Sequence, residues 1–403
     1  MIAGLVLAAL SFAPSVHHRV STVVPAAQAA FDRGLLLYYA YNGDAAYEAF
    51  AAALQRDPHL AMAAWGEAIA AGPDLNTPMT QERFDRAAQA AQRAVALESY
   101  ASPQERAYID AAAARYAGTF AGYGTGNERY LAAMQQLTQA YPSDNDAQTI
   151  YAEALMESNI GDLQARSIVT TVLARDPAHV LANHLCIHSY DYAPDHTPAL
   201  TCANRISRWT FEPAEVHLAH MPAHTYITLG MYAQALSTCN RSWQLRESTS
   251  SPLKYAAHDA YTGFSVAMMR GDLQSALLWS QRAGDAYGGS DAWATFARFG
   301  VWDRIGGAAP QREFYAVLAS GLAALHRGDT KYAQNMLAQY ANTDADYRWI
   351  LEGAIADAQG RLDDAAAAYT HAIDYQARED TGEQLPLFPA GEFLGAMYLH
   401  HAR

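Results

Sequence analysis

Six histidines between residues 184 and 258 have the side-chain type and the spacing that suit a transition-metal site. They are His184, His188, His217, His220, His224 and His258. Residues four apart share one face of a helix, so His184 is expected to stack on His188. His220 and His224 repeat this spacing one helical repeat later. Neutral imidazoles on two neighbouring helices can therefore converge on one metal ion.

The six histidines differ in how well they suit the role of metal ligand. The best candidates are His184, His188, His220 and His224, followed by His258 and then His217. Pro222 is tolerated in the first turn of a helix, which places His224 inside that helix. His217 and His220 are then expected at or just before the helix start. All-imidazole ligation suits Cu, Zn, Fe or Ni, and intrinsic affinity favours Cu or Zn. The alternative is a hydrogen-bonded structural or substrate-binding cluster, because the chain has 15 histidines in all.

Carboxylates and tyrosines near these motifs supply the candidate catalytic residues Glu153, Glu157, Tyr226 and Tyr261. Glu153 and Glu157 lie on the predicted first helix of the repeat before His184, where a carboxylate can act as a general base on a metal-bound water. Two histidines with one such glutamate would suit non-haem iron. The alternative for Glu157 is a solvated residue or a hydrogen bond between repeats. Tyr226 and Tyr261 are expected to donate hydrogen bonds in the pocket.

Turn glycines followed by an apolar helix recur along the chain and predict its fold. Gly230, Gly271 and Gly360 each open such a turn. Pro58 and Pro177 follow Arg-Asp pairs and end the second helix of a hairpin, because proline cannot continue a helix. The period resembles the tetratricopeptide repeat, which predicts an all-α superhelix (α-solenoid) of about eight to nine helix hairpins. First helices are expected to line a concave groove.

The predicted organisation is an apolar segment at 1–24 and a single solenoid at 25–403 with the histidine-rich site at 184–258. Irregular stretches interrupt the repeats at 71–82, 117–127 and 285–311. The glycine-rich run 122–127 does not follow a strand, so a flexible loop is expected there rather than a phosphate cradle. Lids formed by 71–82 and 285–311 would enclose the groove and favour catalysis over peptide binding.

Charge and cysteine content exclude several classes of protein. The net charge is −14 and only 17% of residues are charged, and without a basic stripe we expect no nucleic-acid binding. The three cysteines Cys186, Cys202 and Cys239 allow at most one disulfide, and Cys202 and Cys239 are expected on neighbouring second helices. No Cys-x-x-Cys motif occurs, so a thiolate zinc site is not expected.

The N-terminal run from Met1 to Ala13 is typical of the apolar core of a signal peptide. It ends in Ser-x-Ala, but it lacks a positively charged start, and Pro14 disfavours cleavage after Ala13. The run is also too short for a stable membrane span. The expected localisation is periplasmic or secreted, or cytoplasmic if the segment is not a signal.

Motifs over residues 25–285 resemble a set of bacterial tetratricopeptide-repeat proteins that often carry export signals. The matching motifs are Ala26-Ala-Gln-Ala-Ala-Phe-Asp-Arg-Gly-Leu35, Ala63-Ala-Trp-Gly-Glu67 with Gly72-Pro73-x-x-Asn76, Tyr151-Ala-Glu-Ala-Leu-Met156, His184-x-x-x-His188 and His217-Leu-x-His220-Met-Pro-x-His224-x-Tyr226. The resemblance implies that the histidines form a site, with Trp65, Glu67, Asn76 and Glu153 on or near first helices. It does not imply a particular reaction.

Three functions remain open at the level of sequence. The first is a metal-dependent enzyme, an oxidoreductase with Cu or Fe slightly ahead of a Zn hydrolase, acting on a small molecule or modified peptide. This order follows from the absence of a carboxylate inside the histidine motifs. The second is a non-catalytic scaffold whose groove binds a protein or peptide partner. The third is a metal carrier or sensor. The oligomeric state is not predicted.

Overall fold

The structure is a computed structural model that describes residues 12–159, 161–191, 193–249, 256–287, 292–306, 315–379 and 386–402. Within these ranges the secondary structure is helical, apart from two isolated bridges that join Phe12 to Trp209 and Asp74 to Thr77. The predicted all-α class is therefore confirmed. Residues 1–11 of the candidate signal peptide, and residues 288–291 and 307–311 of the irregular stretch, lie outside the described residues.

The chain divides into two compact units. Unit 1 is Met1–Thr225 with Gln244–Lys254, and unit 2 is Tyr226–Trp243 with Tyr255–Arg403. The helices of unit 1 are α1 (Pro25–Tyr39), α2 (Gly43–Arg56), α3 (Ala61–Ala71), α4 (Gln81–Ala96), α5 (Pro103–Tyr116), α6 (Tyr123–Ala140), α7 (Asn145–Glu157), α8 (Asp162–Arg175), α9 (Val180–His188), α10 (Leu200–Ile206) and α11 (Val216–His220). Helices that contain residues of both units are α12 (Pro222–Thr228) and α13 (Tyr232–Glu247). The helices of unit 2 are α14 (Ala256–Arg270), α15 (Leu273–Tyr287), α16 (Ala292–Arg298), α17 (Ala316–His326), α18 (Thr330–Ala338), α19 (Asp346–Ala358), α20 (Leu362–Glu379) and α21 (Ala390–His401).

Consecutive helices pack as hairpins, as the repeat pattern predicts. The pairs are α1 with α2, α3 with α4, α5 with α6 and α7 with α8 in unit 1, and α14 with α15, α17 with α18 and α19 with α20 in unit 2. The turn glycines Gly230, Gly271 and Gly360 have φ of 68°, 74° and 71°, a left-handed conformation that favours glycine. Helices α2 and α8 end directly before the Asp-Pro pairs at 57–58 and 176–177. The tetratricopeptide-type architecture is thereby confirmed.

Close packing around Phe50 joins the first three helices. Phe50 of α2 is fully buried, and its ring lies against Gly34 of α1 and Gly66 of α3. A Cβ atom at position 34 would lie 2.7 Å from that ring, and one at position 66 only 2.4 Å. Both positions therefore need glycine, because a packed core does not yield to an added methyl without strain. This packing fixes the α1–α2 turn, which reaches the candidate site.

The glycine-rich run at 122–127 is helical, and the predicted flexible loop is wrong. Helix α6 begins at Tyr123 and includes Gly124 and Gly126. A Cβ at Gly126 would lie 2.2 Å from the carbonyl oxygen of Arg115 on α5. The glycine at 126 thus serves close helix packing rather than loop flexibility.

Residues 12–22, here named the N-terminal strap, belong to unit 1. His17 Nδ1 lies 2.7 Å from a carboxylate oxygen of Asp32 on α1. Ser21 hydrogen-bonds through its backbone N–H and hydroxyl to Glu105, and the Thr22 hydroxyl donates to Asp57 at 2.6 Å. Among the described helices, none is long and apolar enough to cross a bilayer.

Candidate metal centre

Helix α9 carries His184 and His188 and is fixed at both ends. All nine of its residues are buried. The Nδ1 atom of His179, the residue before the helix, accepts the Ala182 N–H at 3.2 Å and so caps its first turn. Cys186, between the two histidines, forms a disulfide with Cys202 on α10. The helix therefore presents the two imidazoles from a rigid support.

The disulfide differs from the pairing considered from sequence, Cys202 with Cys239. Cys239 is a buried thiol that belongs to unit 2, whereas Cys202 belongs to unit 1. Burial, and next the charge of Asp259, raise the pKa of the Cys239 thiol well above its usual range. Cys239 therefore has the character of an inert core residue rather than a reactive one.

Helix α11 brings His217 to the same place. The turn before it is tied to α1, because Arg33 forms ion pairs with Glu215 and with Glu212, the latter at 2.9 Å. Asn42 donates to the Ala214 carbonyl at 2.9 Å. These contacts set α11 against the α1–α2 hairpin.

His184, His188 and His217 form one buried cluster, here named the histidine triad. One ligand nitrogen from each lies within 4.8 Å of the others. His184 Nε2 is 3.2 Å from His217 Nε2, and the ring centroids of His184 are 5.0 Å from those of both partners. Two bonds of about 2.0–2.1 Å at a tetrahedral angle put ligand nitrogens about 3.3 Å apart. The spacing therefore suits ligation of a single ion.

Hydrogen bonds outside the histidine triad fix which ring nitrogen faces inward. His184 donates from Nδ1 to the Tyr39 carbonyl at 2.8 Å. His188 directs Nδ1 to a carboxylate oxygen of Asp191 at 2.8 Å. Both rings thus present Nε2 to the centre, in the arrangement by which an outer acceptor orients a metal-binding imidazole. Burial, and next the neighbouring His188, lower the pKa of His184 well below its usual range, so this imidazole is neutral.

Tyr41, which sequence reasoning missed, covers the histidine triad from the α1–α2 turn. Its ring centroid lies 4.2 Å from that of His184 and 5.4 Å from that of His217, and it stacks on His188 at 6.0 Å. It is 2% exposed and has a φ of 54°, a left-handed conformation that is unfavourable for a bulky residue. Strain of this kind persists only where surrounding structure enforces it, and it clusters at functional sites.

Glu153 of α7 is a buried acid beside Tyr41. Its Oε2 accepts the Tyr38 hydroxyl at 2.5 Å. Burial and the charge of Glu157 raise the pKa of Glu153 to about 8, although the hydroxyls of Tyr38 and Tyr41 act in the opposite direction. An acid with a pKa this close to neutrality can both hold and release a proton under ordinary conditions.

Glu157, one turn later, has a different environment. Its Oε2 lies 2.5 Å from Arg115 Nη2 in an ion pair between α7 and α5, and both side chains are buried. Burial raises the pKa of Glu157, while Arg115 opposes that shift. The geometry favours the inter-repeat role that sequence left open for Glu157.

His220 and His224 form a second buried pair, split by a helix boundary. His220 ends α11 and Pro222 begins α12, so the proline does lie in a first turn. His217 and His220 lie on the short helix α11 rather than at the start of α12. The two rings lie 4.8 Å apart edge to face. Burial, and next Arg246, lower the pKa of His220 to about 3, so its ring is neutral as well.

The remaining sequence-predicted residues belong to unit 2. His258 and Tyr261 lie on α14, and the Tyr261 ring meets Phe264 edge to face at 6.2 Å. Tyr226 accepts the Met231 N–H through its carbonyl at 2.7 Å. The structure therefore brings His184 and His188 together with His217, the lowest-ranked ligand candidate, and adds Tyr41 and Asp191.

The donor set of the histidine triad fits a transition-metal ion. Three imidazoles, two of which have Nδ1 held by an outer acceptor, suit Cu, Zn or Fe, and no carboxylate belongs to this cluster. Asp191 lies three residues after His188, a spacing that could have been noticed in the sequence. Tyr41 had no such signal, since it is remote from the histidines in the chain.

No protein-family model matches the chain, and no curated protein matches it. Solved structures resemble it at low identity. A tetratricopeptide repeat protein from Parabacteroides merdae has 12% identity and a TM-score of 0.43, covering 72% of this chain and 99% of that one. The anaphase-promoting-complex hetero-tetramer Cut9-Hcn1 has 14% identity and a TM-score of 0.36, covering 92% and 76%. Yeast Tom70 has 11% identity and a TM-score of 0.33, covering 92% and 88%.

Proposed function

We propose that this chain is a metal-dependent enzyme of the tetratricopeptide-repeat type, whose histidine triad binds one transition-metal ion. The observation that carries the proposal is the convergence of three buried imidazoles, two of which have Nδ1 held by an outer acceptor. A buried polar cluster without function would cost stability, since polar groups must be desolvated. Ligation recovers that cost.

Oxidoreductase chemistry with Cu or Fe is our first choice, and a Zn hydrolase is the alternative. The ligand set contains only imidazole, which Cu accepts well. When bound, the ion would supply electron transfer or Lewis-acid activation of the substrate. The substrate class is a small molecule or a modified peptide.

The chain's own groups would orient the substrate and move a proton. The Tyr41 ring shields one side of the histidine triad from water. Glu153 lies behind Tyr41 and, with a pKa of about 8, holds a proton at neutral pH. The Tyr38 hydroxyl fixes the orientation of that carboxyl.

Metal content measured by mass spectrometry on untagged protein tests the proposal. Wild type is expected to hold about one equivalent of metal, and the His184→Gln/His217→Gln variant to lose it. His59→Gln is the matched control, because His59 is exposed and stacks on Tyr100 away from the histidine triad. Asp191→Asn keeps all three ligands and is expected to weaken binding about 10- to 100-fold.

The identity of the metal then selects the assay, oxidant consumption for Cu or Fe and ester or amide cleavage for Zn. Wild type that stays metal-free after incubation with Cu, Zn and Fe would overturn the proposal in favour of the partner-binding scaffold. Metal without turnover in either assay would favour the carrier or sensor.

A further inference from the structure

A second group of ligand side chains lies in unit 1 where the N-terminal strap crosses the start of α7. His18 comes from the strap, Asp144 caps the start of α7, and Asp146 lies in the first turn of α7. One ligand atom from each lies within 4.8 Å of the others. His18 Nδ1 is 2.7 Å from Asp146 Oδ2. None of these residues belongs to the histidine triad.

The cluster borders a cavity large enough for an ion and its water ligands. The cavity has a volume of about 700 Å³, and its walls include the strap, Tyr39 and residues 143–146. Asn145 lines it too, and the Oδ1 atom of Asn145 is buried and has no hydrogen-bond partner among the described residues. A buried acceptor without a donor is costly, and it is satisfied by a cation or by an ordered water.

Neighbouring donors hold both carboxylates in place. Asp144 Oδ2 accepts from the Tyr108 hydroxyl and from Gln104 Nε2, both at 2.7 Å. Asp146 Oδ1 accepts from the Tyr39 hydroxyl and lies 3.1 Å from His179 Nε2.

His179 acts as such a donor and not as a ligand. Its Nδ1 accepts the Ala182 N–H, so Nε2 carries the proton that it shares with Asp146. Outer hydrogen bonds of this kind orient the ligands of metal sites.

We propose that His18, Asp144 and Asp146, with Asn145 Oδ1, bind a divalent cation of the Mn²⁺ class. Carboxylate and amide oxygens are ligands for hard cations, and a single imidazole shifts the preference from Ca²⁺ or Mg²⁺ towards Mn²⁺. The positive end of the α7 dipole opposes a cation, but two carboxylates outweigh it. The competing arrangement is a plain ion pair between protonated His18 and Asp146.

Titration of the full chain with Mn²⁺, followed by electron paramagnetic resonance, separates the two arrangements. Binding removes the six-line signal of the aqueous ion. We expect wild type to take up one equivalent, and His18→Ala and Asp146→Asn each to lose affinity about tenfold or more. The His184→Gln variant is expected to bind Mn²⁺ as wild type does, which makes this site independent of the histidine triad.

His17→Ala is the matched control, because it removes a strap contact with Asp32 but no proposed ligand. Mn²⁺ binding is expected to survive this change. Loss of binding in His17→Ala as well as in His18→Ala would show that the strap's position alone matters and would overturn the assignment of His18 as a ligand. Absence of uptake by wild type, with circular dichroism showing it folded, would leave the ion pair as the correct description.

Discussion

The two histidine sites of unit 1 shift the pKa of the same side chain in opposite directions. His184 lies among other imidazoles, and burial lowers its pKa well below the usual range. His18 is also largely buried, and burial lowers its pKa, but the hydrogen bond and charge of Asp146 outweigh that effect and the net pKa is raised. At His18 the direct contact with a carboxylate, and not burial, therefore decides the direction in which the pKa shifts.

This difference bears on how each site would take up metal. The histidine triad can bind an ion without first losing a proton from His184. Binding of a cation at the proposed strap site would compete with protonation of His18. Four changes follow, and those at Tyr41 and at the disulfide are expected to affect the histidine triad and spare the strap site.

Replacement of Tyr41 has the largest expected effect. Tyr41→Ala removes a buried aromatic ring from the histidine triad, and large-to-small changes of this kind cost about 3–5 kcal/mol. Urea unfolding measures the loss, while Mn²⁺ binding at the strap should be unchanged under native conditions. Tyr41→Phe keeps the stacked ring and is expected to cost much less. An equal loss in both variants would contradict the stacking role.

Removal of the disulfide is expected to come next. Cys186→Ser/Cys202→Ser opens a link between residues 16 apart in sequence, and closing a loop of that size contributes about 3 kcal/mol. The loss of stability is expected at α9, which carries His184 and His188, so the metal affinity of the histidine triad should drop. Mn²⁺ binding at the N-terminal strap should persist. Chemical denaturation of the double variant measures the loss of stability, and its metal content measures binding at the histidine triad. Unchanged metal affinity would show that α9 is held by its packing alone.

The buried acid Glu153 predicts a pH dependence of stability. Its pKa is about 8 in the folded chain and about 4.3 for an unperturbed glutamate. Between these values the unfolded chain ionises and the folded chain does not, so stability falls as pH rises, by at most about 1.4 kcal/mol per pH unit. Below this window Glu153 is protonated in both the folded and the unfolded chain, so it adds nothing to the pH dependence of stability.

Glu153→Gln should flatten this fall, because glutamine does not ionise. The variant is expected to gain stability relative to wild type towards alkaline pH and to gain little in acid, as measured by urea unfolding at a series of pH values. Glu128→Gln, at an exposed position, is the surface control. An identical slope in wild type and Glu153→Gln would show that Glu153 is ionised in the folded chain.

The smallest effect is expected for His17→Ala on the strap. His17 pairs with Asp32 but is 68% exposed, and exposed pairs contribute about 0–1 kcal/mol. Thermal unfolding should therefore move little. A loss as large as that of Tyr41→Ala would mean that the strap, and not the core around the histidine triad, limits the stability of unit 1.

Local features of the fold were predictable from sequence, and long-range ones were not. Proline at 58 and 177 and glycine at 230 act on their own backbone, so the ends of α2 and α8 and the turn before α13 followed directly. Neutral histidines on helices were also predicted from the sequence. The inclusion of His217 with His184 depends on ion pairs from Arg33 that span most of unit 1, and no periodicity encodes such contacts.

The same limit applies to Tyr41 and to the cysteines. Tyr41 meets the histidines only after three repeats have packed, and the choice of Cys202 as the partner of Cys186 depends on the positions of α9 and α10. The loop prediction at 122–127 failed for a related reason. A high glycine content usually indicates a flexible backbone, but Gly126 here allows α6 to pack closely against α5.

The left-handed backbone at Tyr41 has a consequence for selection. A tyrosine there is held against its conformational preference, and asparagine or glycine would adopt the same φ more readily. In a library randomised at this position, sorting for thermal survival alone should enrich small polar residues if the ring's packing is worth less than the strain. Sorting for metal-dependent activity should return tyrosine, so the two enriched populations would separate what the position does for folding from what it does for chemistry.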